Sequence, residues 1–123
     1  MNKISHTIVG QNDVDVFLSE VYNAIQEGRC IVDKRKPKNK NTLTALGLCC
    51  SDVIDEISSL TYADYLSGPD PDNRDNHQGQ FVWVFKKRVD GFLVYIKLEF
   101  QTITYNRQAD EQLVVMSFHF DNN

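Results

Sequence analysis

Between Asp13 and Glu27 apolar residues fall at Val16, Phe17, Val21, Ala24 and Ile25, the spacing of one inward face on a helix. Asn12 or Asp13 suits the start of that helix and Gly28 its end. Cys30-Ile31-Val32 predicts a short strand. A loop is expected to follow through the Lys/Arg segment, where Pro37 and Asn39 to Asn41 interrupt regular structure. Thr42 opens a second helix of one or two turns, carrying Leu43, Ala45 and Leu46 and ending around Gly47. Ser51 reads as the cap of a third helix, whose stripe is Val53, Ile54, Ile57 and Leu60 and whose end lies near Ser59. Thr61 to Leu66 predicts one more short turn. Gly68 to Gly79, rich in Pro, Gly, Asn and Asp, predicts a loop without periodicity.

From Phe81 the pattern becomes β. Phe81 to Phe85 is aromatic and β-branched, Asp90-Gly91 marks a turn, and Phe92 to Thr104 carries a long strand pattern. Asn106 to Asp110 gives a second turn and Leu113 to Phe120 a third strand. Helices first and strands second predict an α+β fold, with N-terminal helices packed on one face of a C-terminal antiparallel sheet. With 123 residues and no internal repeat or linker, residues 1–123 are expected to form one domain.

Composition narrows the class. Apolar residues make up 41% and charged residues 24%, a globular rather than a disordered mixture. No apolar run approaches the roughly 20 residues of a membrane span, and Met1 to Gly10 lacks the apolar core of a secretory signal. A cytoplasmic protein with no membrane partner is the expectation. Cys30, Cys49 and Cys50 are odd in number and have neither metal-ligand nor easy disulfide spacing. They are expected to be reduced thiols. A zinc site would have to recruit His6, His77 or His119 at unusual spacings, so no metal and no cofactor is expected.

Net charge is −4, which argues against holding nucleic acid by bulk electrostatics. Positive charge is nevertheless clustered, at Lys34, Arg35, Lys36, Lys38 and Lys40 and again at Lys86, Lys87 and Arg88. Such runs also occur as solvated loop charge.

Strand alternation assigns Phe92, Val94, Ile96, Leu98 and Phe100 to a core row and Leu93, Tyr95, Lys97, Glu99 and Gln101 to the opposite one. In the last strand Val114, Met116, Phe118 and Phe120 alternate with Leu113, Val115, Ser117 and His119. Paired as a hairpin, the two strands would project Tyr95, Lys97, Ser117 and His119 from the face that the helices leave open. Tyr95 offers a phenol, Lys97 a cation, and His119 an imidazole, the side-chain type whose unperturbed pKa lies near neutrality. Metal-free RNA cleavage needs a base for the 2′-hydroxyl, an acid for the departing 5′-oxygen and a cation for the phosphorane. An open antiparallel face is polar by default, so the pattern alone leaves both readings standing.

Six short motifs add to this: Thr44-Ala45-Leu46-Gly47-Leu48, Ser51-Asp52-Val53-Ile54, Leu60-Thr61-Tyr62-Ala63-Asp64-Tyr65, Val82-Trp83-Val84-Phe85, Val94-Tyr95-Ile96-Lys97-Leu98 and Val115-Met116-Ser117-Phe118-His119. In order and spacing the chain from Phe17 to His119 resembles the MqsR family of toxins. The resemblance implies a RelE-like fold, endoribonuclease cleavage of mRNA, and a cognate antitoxin encoded nearby. Tyr95 and Lys97 stand in the matching strand motif and His119 at the basic position that ends the last strand. Lys86, Lys87 and Arg88, after Val84-Phe85, are the expected RNA-binding residues, forming a phosphate cradle with Lys97. The chain departs from the family in the long Gln101 to Gln112 stretch, in the loop around Asp70 to Gln78, and at Val84, where some members carry an amide. Two other functions stay open. One is a catalytically inactive module binding a protein or RNA partner, with Phe92 or Tyr105 as apolar anchors. The other is a regulatory protein that borrows the fold.

Overall fold

A computed structural model describes residues 9–121, without the side chain of Tyr105; His6 lies outside the described residues. The chain forms α1 (Gln11–Gln26), β1 (Cys30–Val32), α2 (Pro37–Leu46), α3 (Cys50–Ser58), a 3-10 turn (Tyr62–Asp64), β2 (Tyr65–Pro71), β3 (Phe81–Val89), β4 (Phe92–Tyr105) and β5 (Gln108–Phe120). The strands make one five-stranded sheet in the order β1-β5-β4-β3-β2. The α+β expectation holds, with one correction: β1 runs parallel to β5, so the sheet is mixed.

Several boundaries move for local reasons. α1 starts two residues before Asp13, with Gly10 as its cap; Asp13 sits one turn in, and its carboxylate accepts the Gly10 N–H at 3.0 Å. α2 begins at Pro37 rather than Thr42, because proline lacks only an N–H that the first helical position does not use. α3 is capped by Cys49, not Ser51; its N–H reaches the Asp52 carboxylate at 2.9 Å. The expected loop from Gly68 contains the end of β2, an edge strand with two register shifts, where prolines are tolerated. β5 starts at Gln108, because Asn106 and Arg107 alone make the turn, both with positive φ (50° and 65°).

α1 and α3 pack on one face of the sheet. Val14, Phe17, Val21 and Ala24 of α1 and Val53 and Ile57 of α3 share one core with Phe85, Val94, Ile96, Leu98, Leu113, Val115 and Phe118. Phe17 stacks on Trp83 with ring centroids 4.2 Å apart. Phe92, placed in the core row by alternation, is 55% exposed at the end of β4 and meets Phe120 instead.

A register shift between β4 and β5 corrects the faces assigned to β5. Lys97 pairs with Ser117 but Leu98 pairs with Val115, leaving Met116 as the extra residue of a bulge. Before the bulge Leu113 and Val115 therefore face the core; beyond it Phe118 and Phe120 lie on that side. Ser117 and His119 keep the open face expected of them.

Candidate active site on the open sheet face

The open face carries Tyr95 opposite His119 and Lys97 opposite Ser117, as direct cross-strand pairs. The Tyr95 and His119 rings stack with centroids 5.3 Å apart and planes 19° from parallel. His119 Nδ1 lies 3.0 Å from the carbonyl oxygen of Phe120. Lys97, half-buried, also faces Val84 across β3 and makes no ion pair or hydrogen bond among the described residues. All three candidate catalytic residues are thus on one face, two of them in contact.

The expected basic cradle does not form as one cluster. Lys86 and Arg88 share the open face, opposite Tyr95 and Leu93. Lys86 is held by Asp121 at 2.7 Å, and Arg88 donates to the carbonyl of Gly91 at 3.0 Å. Lys87, one residue along the strand, points to the helix side. There it pairs with the Glu56 carboxylate at 2.7 Å and also donates to the Glu56 carbonyl and the Ser59 hydroxyl, which ties it to the end of α3.

What joins Lys97 instead comes from the Lys/Arg segment before α2 and from the turn-rich segment after β2. A cleft of about 480 Å³ opens beside β4, floored by Val82, Val84, Tyr95 and Met116, with Lys97, Lys36 and Arg74 on its walls. Lys36 arrives from the residue that precedes α2, and Arg74 from the 72–80 segment that folds over the sheet after β2. Burial pushes the Lys36 ammonium below its ordinary pKa; Asp33 opposes that shift, while Lys97 and Arg74 add to it. Asp70 and Asp72 also line the cleft.

Beneath the 72–80 segment lies a second group of titratable residues. Glu99 is fully buried on the open-face row. Its Oε1 accepts from Gln101 at 2.7 Å and from Arg74 at 3.3 Å, whereas its Oε2 has no partner among the described residues. Burial first, and the neighbouring Asp72 carboxylate second, raise the Glu99 pKa to about 7. Hydrogen bonding from Arg74 holds Asp72 far below the usual carboxylate range. His77 Nδ1 is 2.7 Å from Gln80 Oε1, 3.6 Å from Asp72 and 3.7 Å from Glu99. Ligand atoms of Asp72, His77 and Glu99 all fall within 4.8 Å of one another, a spacing that a divalent ion can bridge. Arg74 already donates to both carboxylates, so the guanidinium supplies the positive charge that an ion would bring. None of the cysteines belongs to this group. Cys30 is a poor nucleophile as well, since burial raises its thiol to about 11.

Glu99 stood in the polar row that alternation identified, but its partners could not be read from spacing. Asp72, Arg74 and His77 reach it through a turn-rich segment whose path no periodicity encodes. Comparisons with family models, with curated proteins and with solved structures found no match. No described helix is long and apolar enough to cross a membrane.

Proposed function

We propose that this chain is the toxin of a type II toxin–antitoxin pair. In this reading it is a RelE-like, metal-independent endoribonuclease that cleaves mRNA in the cytoplasm and is neutralised by a cognate antitoxin. The observation that carries the reading is the Tyr95–His119 stack on the same strand face as Lys97, which has no ion pair among the described residues, on the side of the sheet that α1 and α3 leave open. The resemblance to MqsR toxins agrees with it in residue positions.

Chemically, the 2′-hydroxyl oxygen attacks the adjacent phosphorus and the bond to the 5′-oxygen breaks, leaving a cyclic phosphate and a free 5′-hydroxyl. The His119 imidazole takes the 2′-hydroxyl proton, and the Tyr95 phenol relays a proton to the leaving oxygen. Lys97 stabilises the charge that builds on the phosphorane. Wild-type chain is expected to cut purified, ribosome-free mRNA in EDTA, and His119→Ala and Lys97→Ala to lose at least about a hundredfold in rate. Equal cutting by both variants refutes the site. No cutting by the wild type refutes autonomous ribonuclease activity.

A second reading, a binding module without catalysis, is favoured by the net charge of −4 and by Phe92, which lies exposed against Phe120 at a sheet end. It predicts that growth inhibition survives His119→Ala and is abolished by Phe92→Asp. The side chain of Tyr105, the other candidate anchor, lies outside the described residues.

A further inference from the structure

Two lysines, Lys36 and Lys97, meet at one cleft from elements far apart in sequence, both half-buried and, among the described residues, neither ion-paired to a carboxylate. Lys97 has no ion pair or hydrogen bond among the described residues. The carboxylate that acts on Lys36 is Asp33, whose oxygens are bonded to Arg35 at 3.1 and 3.2 Å. The two ammonium groups act on each other with like sign. Asp72 on the same wall is taken by Arg74 at 2.7 Å, which leaves the exposed Asp70 as the remaining acid of the lining. Like charges brought together at partial burial oppose folding unless something anionic completes them. The positive end of α2 lies at the same place, and its first turn holds no acidic residue.

We propose that Lys36 and Lys97 clamp one phosphodiester of a bound RNA strand across this cleft, with Tyr95 on its floor. Lys36 is thereby a substrate-binding residue supplied by the segment before α2. The assignment rests on the ribonuclease reading for the identity of the strand, but its electrostatic basis does not. Val82, Val84 and Met116 give the cleft an apolar patch, with Ser67, Asp70, Asn73 and Arg74 completing its polar wall; two ammonium groups act as point charges, which suit a phosphate rather than a base edge.

The test uses the whole chain and two probes. One is a fluorescent single-stranded DNA oligonucleotide, which lacks the 2′-hydroxyl and is not cleaved; the other is a cleavable RNA of the same sequence. Lys36→Met keeps the aliphatic stem and removes the charge, Lys36→Arg restores the charge, and Lys40→Met is a control at an exposed position outside the cleft. Lys36→Met should weaken oligonucleotide binding about tenfold at low salt and make the slope of log affinity against log salt shallower by about 0.7. Lys36→Arg should recover most of the affinity, Lys40→Met should match the wild type, and thermal unfolding of Lys36→Met should show a folded chain. With cleavable RNA, Lys36→Met should raise KM more than it lowers kcat.

If Lys36→Met binds with wild-type affinity and slope while the wild type still cuts RNA, the clamp is overturned and the ribonuclease reading stands. If the wild type binds the oligonucleotide in a Lys36-dependent way but cuts nothing, the clamp stands and the ribonuclease reading falls. If the wild type shows no salt-sensitive binding, the clamp is overturned whatever the cleavage assay reports; an acidic peptide that binds in a Lys36-dependent way would then reassign the cleft to a protein partner.

Discussion

Glu99 keeps a carboxyl group at 0% exposure next to a second carboxylate, and that placement sets a pH dependence. Its pKa is raised from an ordinary 4.5 to about 7, so between these values the folded chain holds a proton that the unfolded chain has released. Stability from this group is therefore greatest below about 4.5 and declines as pH rises towards 7. Asp72 acts in a different window. Its pKa is lowered from 3.8, chiefly by Arg74, so its contribution is present above 3.8 and is lost in more acid solution. Glu99→Gln should flatten the decline between pH 5 and 7, raise the melting temperature at pH 8, and leave the acid limb in place; thermal unfolding at a series of pH values reads all three. A variant that declines between pH 5 and 7 as the wild type does would locate the titration elsewhere. Lys87 makes a separate case at the same scale. Its bonds run to Glu56 and Ser59 on the helix side, so Lys87→Ala should lower stability by about 1 kcal/mol and leave oligonucleotide affinity unchanged. A loss of affinity equal to that of Lys36→Met would place Lys87 back in the RNA path.

Among the elements, α2 does more than cover apolar surface. Past the bulge at Met116, β5 has no described strand on its outer side, since β1 pairs with Leu113 to Val115. The Asn39 side chain takes over that edge: its Nδ2 donates to the Met116 carbonyl at 3.0 Å and its Oδ1 accepts from the Phe118 N–H at 3.0 Å. Thr42, one helical turn along, accepts the Phe120 N–H at 3.1 Å. Two buried polar side chains thus stand in for a sixth strand, and they fix the part of β5 that carries Ser117 and His119. Asn39→Ala leaves at least two buried backbone groups unmatched and should cost about 3 kcal/mol, roughly a 10 °C fall in melting temperature for a chain of this size. Calorimetry measures it, and a change under about 0.5 kcal/mol would mean that water replaces the amide. Gly68 has a comparable role in β2. At φ +107° an added Cβ would lie 2.5 Å from the Val82 carbonyl oxygen, so Gly68→Ala must push β2 away from β3 where Ser67 and Asp70 border the cleft. A loss on the order of 1–3 kcal/mol is expected, accompanied by weaker oligonucleotide binding.

At the scale of the whole molecule, what could be read from the sequence depended on period. α1, the β4 rows and the turn at Asp90-Gly91 follow from side-chain alternation and turn chemistry, and the stack of Tyr95 on His119 follows from pairing two of those rows. The start of α2 was hidden because Pro37 and the asparagines signal a break unless the proline is known to occupy the first helical position. The bulge at Met116 was hidden because inserting one residue leaves the hydrophobicity of β5 almost unchanged while reversing its faces. Lys36, Arg74 and His77 were hidden because their neighbours are set by loop paths. The long β4–β5 ribbon has a simpler logic. From Thr102 to Tyr105 and from Gln108 to Glu111 the strands pair with each other alone, and none of these residues belongs to the core. The ribbon is thus separable from both the hydrophobic core and the cleft. Replacing residues 103–110 by Asn-Gly, which closes a two-residue hairpin between Thr102 and Glu111, should shift the melting temperature by no more than about 4 °C, since little apolar surface is lost. On the proposed ribonuclease reading, RNA cleavage should persist, because Tyr95, Lys97, Lys36 and His119 all lie outside the excised segment. If the shortened chain folds but no longer cuts RNA, the ribbon itself contacts substrate, and the active surface extends from the cleft along the whole hairpin.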